Sequence, residues 1–303
     1  MDKIGVVTIT YNSANVLSPF LDCIYKQTYN NFILYVIDNS SSDETISILN
    51  EVQDSRFVLI QNNINYGVAK ANNQGVKRAI KDDCHQILII NNDVEFEDSL
   101  FEKLIKTQNT YNCSLVAPKI MFFDQPDCIW YAGSWFNKRK GYLPLHRGMN
   151  AVDNKQFNKN IQVEYAPTCC LLIKKEVFDD IGFMNEKYFV YFDDTDFLFR
   201  VLKNRKHKLY YYYDVLFFHK VGSLSKSFNM KKKKLYRGSF FIQQNTRNHV
   251  YFLKQIGTIY AYFYIVWLFF KNNFKFFLNK KIKKDLQTWR LINKSYFEGI
   301  LMK

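Results

Sequence analysis

The stretch QILIINNDVEFEDSL, residues 86–100, decides the fold, because an uninterrupted apolar run ends there in a cluster of acids. Residues 86–90 have the composition of a short strand buried on both faces. The loop that follows leaves the carboxyl end of this strand, which is where open α/β sheets bind ligands. Asp93 and Glu95 stand two residues apart, so an extended backbone would point both carboxylates to one side and suit a divalent cation. The alternative is a solvated acidic turn before the next helix.

Strand and helix patterns alternate through the first hundred residues. Ser13 is predicted to cap the first helix, and Ser41 with Glu44 matches a capping box for the second. Short connections between such elements predict an α/β fold with a mostly parallel, doubly wound sheet and helices on both faces. Apolar strands are predicted at residues 3–10, 31–38, 56–61 and 86–90, with amphipathic helices between them.

Polar residues follow the carboxyl ends of these strands and should gather at one edge of the sheet. We expect this edge to bind a nucleotide. Asp38 could accept hydrogen bonds from a nucleobase or ribose, or could cap the turn that follows it. No Gly-x-Gly-x-x-Gly loop follows the first strand, which argues against a dinucleotide fold. The predicted contacts at this edge are Thr10, Tyr11, Asn12, Asp38, Asn65, Gly67 and Asn92.

A second acid cluster lies at Asp193, Asp194 and Asp196, among aromatic residues. Three acids within four residues in such surroundings should raise the pKa of at least one carboxyl group, as a general base near neutral pH requires. We expect Asp196 to pair with Arg200 at helical spacing. The alternative is that all three acids cap the amino end of a helix, where negative charge is favourable.

Further ligand contacts are predicted between and beyond the two clusters. Trp130 lies in an aromatic stretch that could form a platform for sugar rings or could equally be packing. Arg247, together with Lys226 and the run Lys231–Lys234, could reach a diphosphate or a lipid-linked phosphate, or form a solvated face.

Charge and cysteine usage restrict the compartment and the partners. Residues 200–303 hold 23 Lys and Arg against 3 Asp and Glu, so the basic character belongs to the C-terminal third. Nucleic acid, anionic lipid and a phosphorylated substrate are all compatible with such a region. Six cysteines without a CxxC pair indicate reduced thiols. The N-terminus does not resemble a signal peptide, so a cytoplasmic protein is expected.

The C-terminal tail changes character after Lys254. Sixteen residues without charge precede Lys271, and they are followed by a stretch that mixes phenylalanines with lysines. The run is short for a membrane-spanning helix, but its Tyr and Trp content and flanking lysines predict a helix lying on an anionic membrane surface. A buried helical appendage and a homo-oligomer interface are the alternatives.

Four segments in this order and spacing resemble the family 2 glycosyltransferases of the GT-A fold. They are TITYN (8–12), DNSSSD (38–43), NYGVAKANN (65–73) and INNDVEFED (90–98). The similarity continues through residues 165–200 to Arg247 and Asn248, and is greatest to the bacterial rhamnosyltransferase-like branch.

This resemblance implies roles for individual residues. Asp38 would contact the base of the nucleotide. The metal-binding acid motif of the family would fall at Asp93 and Glu95, with His219 as a further metal ligand. Asp194 would be the catalytic base, next to Asp193 where the family more often has Glu.

The resemblance also implies an organisation of the chain. Residues 1–250 would form the GT-A domain, with a nucleotide-binding half at 1–119 and an acceptor-binding half at 120–250. Residues 251–303 would form the basic aromatic tail. Thr168 stands where similar proteins often have a small residue beneath the acceptor.

The expected activity is inverting sugar transfer with Mg²⁺ or Mn²⁺ as cofactor. The donor would be a nucleotide-diphospho-sugar (dTDP-rhamnose or a UDP-sugar), and the acceptor a lipid-linked surface glycan at the inner face of the cell membrane. One alternative is a non-catalytic protein that binds membrane or nucleic acid, although that role leaves both acid clusters unexplained, so no nucleic-acid partner is expected. A sugar-phosphate nucleotidyltransferase is the other alternative, and it would need a glycine-rich basic loop after the first strand, which is absent.

Overall fold

The computed structural model describes residues 2–221, 228–229, 234–235, 238–278 and 286–303. Lys226, three of the four lysines in the run 231–234, and the lysines between 280 and 284 lie outside these residues.

The strands of the described part are short, and half of them belong to one large sheet. They are β1 (Ile4–Thr10), β2 (Phe32–Asp38), β3 (Phe57–Gln61), β4 (Gln86–Ile90), β5 (Val94–Phe96), β6 (Leu115–Pro118), β7 (Ile120–Phe122), β8 (Gln125–Tyr131), β9 (Ser134–Asn137), β10 (Leu143–His146), β11 (Ile161–Val163), β12 (Cys170–Lys174), β13 (Leu209–Tyr212), β14 (Phe217–His219), β15 (Phe228–Asn229) and β16 (Lys234–Leu235).

The helices connect these strands and then form a C-terminal bundle. They are α1 (Ala14–Tyr25), α2 (Thr45–Asn50), α3 (Val68–Lys81), α4 (Leu100–Tyr111), α5 (Lys175–Ile181), α6 (Asp193–Asn204), α7 (Ser239–Ile256), α8 (Ile259–Leu278) and α9 (Leu286–Leu301).

The main sheet has eight strands in the order β11-β13-β6-β12-β4-β1-β2-β3. Strands β3, β2, β1 and β4 are parallel, and β12 runs antiparallel between β4 and β6. Every residue of β4 is buried, as its apolar run predicted. Thr10 pairs with Asp38 at the carboxyl ends of β1 and β2, so the polar loops leave the sheet along the same edge. The predicted mostly parallel α/β sheet is therefore confirmed.

The start of α2 differs from the sequence prediction. The capping box of Ser41 with Glu44 does not form, because the Ser41 hydroxyl donates to Asp38 Oδ1 at 2.5 Å. The cap comes from Asp43, whose Oδ1 accepts from the Thr45 amide at 3.0 Å, and α2 begins at Thr45. The Ser41 Oγ also accepts from the Asn12 amide at 2.9 Å, so the acceptor role that a capping box requires of this hydroxyl is taken by the loop after β1.

A second, four-stranded sheet in the order β5-β14-β7-β8 extends from the end of β4. Strand β14 runs antiparallel to β5 and places His219 opposite Val94. This pairing brings a residue from the last third of the chain next to the acidic loop after β4.

The C-terminal helices pack against the rest of the chain through a second apolar cluster. Val250 and Tyr251 of α7 lie in this cluster with Tyr188 and Phe192, which precede α6. Residue 250, the predicted domain boundary, lies inside α7, so this helix belongs to both predicted regions. The predicted helical extension is present, and none of the described helices combines the length and apolar character that crossing a membrane requires.

Candidate active site

Hydrogen bonds join the loops at the carboxyl edge of the parallel strands. The Thr10 hydroxyl donates to Asp38 Oδ1 at 2.8 Å and so connects β1 with β2. The Asn92 amide donates to the Ile9 carbonyl at 2.9 Å and connects the loop after β4 with β1. Asn92 is almost fully buried, so its side chain positions the acidic loop from within the fold. These contacts bring Thr10, Asp38 and Asn92 together at one edge of the sheet.

Asp38 lies in a preformed hydrogen-bond network. It is 2% exposed, and its Oδ1 accepts from the hydroxyls of Thr10 and Ser41. Its Oδ2 accepts from the Ser41 amide at 2.9 Å. Because a carboxylate oxygen has two acceptor sites, Oδ2 retains one for a ligand. Asp38 therefore does cap the turn after β2, and this contact is compatible with the predicted contact to a nucleobase.

Tyr11 and Asn12 follow β1 at the surface. The Tyr11 side chain is 48% exposed and could cover a flat ring. The Asn12 Oδ1 accepts from the Ser42 amide at 2.8 Å, which joins this loop to the one after β2.

Asn65 and Gly67 shape the loop before α3. The Asn65 Oδ1 accepts from the Gly67 amide at 2.8 Å, and Gly67 has a φ of 81°. A Cβ atom at Gly67 would lie 2.3 Å from the Phe189 carbonyl oxygen, so only glycine allows this approach. The Val68 amide donates to the same carbonyl at 2.6 Å. Gly67 therefore connects the predicted nucleotide half with the segment that leads to α6.

Asp93 and His219 form the pair that the sequence placed in the metal site. Asp93 Oδ1 lies 3.3 Å from His219 Nε2, and the two side chains are only 8% and 10% exposed. The Trp130 ring meets the His219 ring edge to face, with centroids 4.8 Å apart. Trp130 therefore contacts one of the predicted metal ligands.

The predicted set of three metal ligands is not assembled. Glu95 Oε1 lies 2.6 Å from Lys220 Nζ, and this ion pair holds the Glu95 carboxylate to its neighbour on the adjacent strand. Within the described ranges no three His, Cys, Asp or Glu side chains form a group that could hold a metal. Asp93 and His219 come together, and Glu95 does not join them.

The Asp93–His219 pair nevertheless fits a divalent cation. An imidazole nitrogen and a carboxylate oxygen at this separation can both reach an ion at a bond length of about 2 Å. Among the described residues, the buried His219 Nδ1 has no hydrogen-bond partner, so one ring nitrogen carries no protein hydrogen bond. Two protein ligands leave positions for diphosphate oxygens and water, as is usual where a cation binds together with a phosphorylated substrate.

The second acid cluster begins α6 after a strained turn. Tyr191 and Phe192 both have left-handed φ angles, 64° and 70°, although neither is glycine. The fully buried Asn248 holds this turn, because its side-chain amide donates to the carbonyls of Val190 and Tyr191, each at 2.9 Å. Sequence reasoning assigned no role to Asn248, and its only signal was its place at the end of the family resemblance.

Asp193 and Asp194 have different surroundings. The Tyr165 hydroxyl donates to Asp194 Oδ2 at 2.6 Å, and the Thr195 amide donates to Oδ1 at 2.6 Å. Burial raises the pKa of Asp194, whereas these hydrogen bonds act in the opposite direction. Burial, and then the charge of Asp194, raise the pKa of Asp193. Hydrogen bonds from Tyr165 and Thr195 stabilise the ionised form of the half-buried Asp194, which makes it the better candidate for the base.

Asp196 forms an ion pair within α6. Arg200 Nε donates to Asp196 Oδ2 at 2.9 Å, as the helical spacing predicted. The same guanidinium donates to the carbonyls of Ile181 and Phe183, so Asp196 fixes the packing of α6 and is not available as the base.

A wall of rings connects the metal pair with the base. Trp130 contacts His146, and His146 contacts Tyr165, each with ring centroids 5.7 Å apart. Burial lowers the pKa of His146 to about 4, so this ring is neutral near pH 7. The ring contacts thus run from His219 through Trp130 and His146 to Tyr165, whose hydroxyl donates to Asp194.

Two residues that were predicted to contact a substrate, Thr168 and Arg247, lie in other environments. Thr168 is buried just before β12. The Arg247 guanidinium donates to Gln244 and Asn248, and its carbonyl lies against Gly299 of α9. Arg247 therefore packs between C-terminal helices, and the described contacts do not bring it to the metal pair.

Comparisons with known proteins agree with this architecture. The model of the family described as Glycosyl transferase family 2 matches residues 5–182. The low-salt glycan biosynthesis hexosyltransferase Agl10 of Haloferax volcanii is 24% identical over 204 residues, 66% of this chain and 62% of that protein.

Two further relatives name their substrates. The UDP-Glc:alpha-D-GlcNAc-diphosphoundecaprenol beta-1,3-glucosyltransferase WfaP of Escherichia coli is 33% identical over 26% of this chain and 32% of its own length. The dTDP-rhamnosyl transferase RfbF of Shigella flexneri is 22% identical over 66% of this chain and 63% of its own length. The chain thus spans less than two thirds of the length of these relatives.

A solved structure shows the same fold. The mannosyltransferase PcManGT of Pyrobaculum calidifontis, in complex with GDP-Man and Mn²⁺, superposes with a TM-score of 0.58 at 13% identity, over 99% of this chain and 87% of that one. The GT-A type fold expected from the resemblance is confirmed. Since the family model covers more than half of its residues, the chain belongs to glycosyl transferase family 2.

Proposed function

We propose that the chain is an inverting, metal-dependent glycosyltransferase that moves a sugar from a nucleotide-diphospho-sugar to a hydroxyl of a lipid-linked glycan. The observation that carries this proposal is the ring wall, which joins the Asp93–His219 pair to Asp194. A transferase needs a group at the leaving diphosphate and a base at the acceptor hydroxyl, and this site has one candidate for each.

Asp93 and His219 would hold a Mn²⁺ or Mg²⁺ ion, which neutralises the charge that develops on the departing diphosphate. The imidazole ligand favours Mn²⁺, because Mg²⁺ binds mostly through oxygen. Asp38 would accept a hydrogen bond from the nucleobase or ribose through its remaining Oδ2 site. Tyr11 would cover the base.

Asp194 would take the proton of the acceptor hydroxyl as this oxygen attacks the anomeric carbon. Tyr165 keeps the carboxylate oriented and stabilises its ionised form. Asp193 is buried and retains its proton to higher pH, which makes it a poor nucleophile. A single attack by the acceptor then inverts the configuration of the sugar.

The relatives support the substrate classes. A UDP-sugar and dTDP-rhamnose are named as donors of WfaP and RfbF, and an acceptor on a diphosphoundecaprenol lipid is named for WfaP. A lipid-linked acceptor would place this chain at the inner face of the cell membrane.

The rival functions explain less of the site. A non-catalytic membrane or nucleic-acid binding protein gives no reason to bury Asp193 beside Asp194, which costs folding free energy. A sugar-phosphate nucleotidyltransferase needs cationic groups after β1, where this chain has Tyr11, Asn12 and Ser13.

Calorimetric titration with UDP, dTDP and GDP in the presence of Mn²⁺ tests the donor and metal part. We expect one nucleoside diphosphate to bind, and we expect chelator or Asp93→Asn to weaken binding at least tenfold. Asp124→Asn, at an exposed acid in the turn before β8, is the matched control and should bind normally. Absence of binding by every nucleotide, or equal binding by Asp93→Asn, would contradict the proposal.

A further inference from the structure

Helix α8 carries an exposed apolar stripe along its whole length. The residues repeat at intervals of three and four, so they share one face of the helix. Phe263 and Phe270 are 68% and 64% exposed, which is unusual for large apolar side chains of a folded domain. The stripe consists of Ile259, Tyr262, Phe263, Val266, Trp267, Phe270 and Phe274.

The opposite face of α8 packs against the protein. Ala261 and Ile265 are buried in the cluster that also contains Phe192 and residues of α7. The Tyr296 hydroxyl of α9 donates to the Ile265 carbonyl at 3.1 Å. The helix is therefore anchored by one face, and the stripe is its outward face.

The composition of the stripe and its flank fits the interfacial region of an anionic bilayer. Tyr262 and Trp267 are the residue types that concentrate at the level of lipid headgroups. Lys271 Nζ lies 4.4 Å from the Trp267 ring centroid, at the end of the stripe, where an ammonium group could meet lipid phosphates. Helix α8 itself contains two lysines, Lys271 and Lys275, and no acid, so its charge complements anionic lipid.

Helix α8 also contacts the region of the proposed base. Leu268 and Asn272 of α8 line a cavity of about 260 Å³ together with Phe192 and His249. Phe192 directly precedes Asp193 and Asp194 in the chain, so these two acids lie next to this cavity. A membrane bound to α8 would therefore lie near the Asp194 end of the site.

We infer that α8 inserts its apolar stripe into the surface of an anionic membrane and so presents the Asp194 end of the site to an acceptor carried by that membrane. The role in presenting the acceptor rests on the proposed function, whereas the binding of α8 to lipid is measured independently of it. A second copy of the chain is the competing occupant of the stripe. It would place the cationic segments of two chains close together, whereas an anionic bilayer neutralises them.

Vesicle flotation of the full chain tests the inference, with phosphatidylcholine vesicles prepared with and without phosphatidylglycerol. We expect binding to the anionic vesicles and a loss of at least about tenfold in Phe263→Ser/Phe270→Ser, because two exposed rings no longer enter the apolar layer. Leu216→Ser, at an apolar residue 58% exposed outside α8, is the matched control and should bind like the wild type. Circular dichroism and thermal unfolding verify that both variants fold.

Three results would overturn the inference. The wild type could fail to bind anionic vesicles, or the double variant could bind as well as the wild type. Analytical ultracentrifugation could instead show a dimer that the double variant loses, which would assign the stripe to a second copy. Nucleotide binding measured on the same samples separates these results from failure of the proposed function, because the stripe does not include a donor-site residue.

Discussion

Replacement of Tyr165 by Phe tests how the site prepares its base. The variant removes only the hydroxyl that donates to Asp194 Oδ2 at 2.6 Å, and the ring can stay in the wall beside His146. This distance is that of a short O–H···O⁻ bond, which is a charge-assisted hydrogen bond. The bond stabilises the ionised carboxylate more than the protonated one, so its loss should raise the pKa of Asp194 further.

The size of the effect follows from the energy of such a bond. A hydrogen bond to a charged group contributes about 1.5–3 kcal/mol, and each 1.4 kcal/mol lost moves a titration by about one pH unit. A base acts in its deprotonated form, so the acidic limb of the rate profile should move to higher pH by about one to two units. At a pH within that limb the rate should fall about 10- to 100-fold.

The assay is release of nucleoside diphosphate from the donor as a function of pH, with saturating Mn²⁺. Tyr131→Phe is the matched control, since the Tyr131 hydroxyl is also buried but donates at 2.8 Å to the Tyr165 carbonyl. It should lower stability without moving the acidic limb. An unchanged limb in Tyr165→Phe, or an equal shift in Tyr131→Phe, would refute the reasoning.

Four further substitutions have expected outcomes. Glu95→Gln should change Mn²⁺ affinity by less than about threefold in calorimetry, because the Glu95 carboxylate pairs with Lys220. A loss of Mn²⁺ affinity as large as that expected for Asp93→Asn would show instead that Glu95 is a metal ligand. Asn248→Leu should lower turnover at least about tenfold while nucleotide affinity stays within about twofold, because the variant no longer holds the strained turn before the acids. Equal losses of turnover and of nucleotide affinity would show that Asn248 supports the whole fold and not the acid cluster in particular. Gly67→Ala should destabilise the fold by about 2–4 kcal/mol in urea unfolding, because its Cβ would lie 2.3 Å from a carbonyl oxygen. Burial lowers the pKa of His249 to about 4, from about 6.5 in the unfolded chain. Between these pH values the unfolded state binds more protons, so the free energy of unfolding should fall by about 3 kcal/mol as the pH drops from 6.5 to 4. His249→Gln should remove this pH dependence, and a variant that keeps it would show that other groups cause it.

The sheet and its functional edge could be predicted from the sequence because their signals are local. The buried run before Asp93 and the polar residues after each parallel strand require only the period of a strand and the rule for strand ends. The Arg200–Asp196 pair is local for the same reason, since it follows from helical spacing.

The contacts that the sequence did not reveal depend on distant segments. Lys220 captures Glu95 because β14 pairs with β5, a register that spacing within either segment does not determine. Tyr165 reaches Asp194 across 29 residues, and Asn248 reaches the turn before the acid cluster across 57 residues, a pairing that no local spacing predicts. The capping prediction for Ser41 failed because the Asn12 amide donates to its Oγ while the same hydroxyl donates to Asp38. Such competition between neighbours is decided only in the folded chain.

The most direct test of the account is release of nucleoside diphosphate from a panel of UDP-, dTDP- and GDP-sugars, with Mn²⁺, Mg²⁺ or chelator. The wild type is compared with Asp93→Asn and Asp194→Asn. We predict metal-dependent release from one donor, loss of that release in Asp93→Asn, and a decrease of about 10²-fold or more in Asp194→Asn with nucleotide binding retained. No release from any donor, or full activity of Asp194→Asn, would contradict the assignment of Asp194 as the base of a metal-dependent glycosyltransferase.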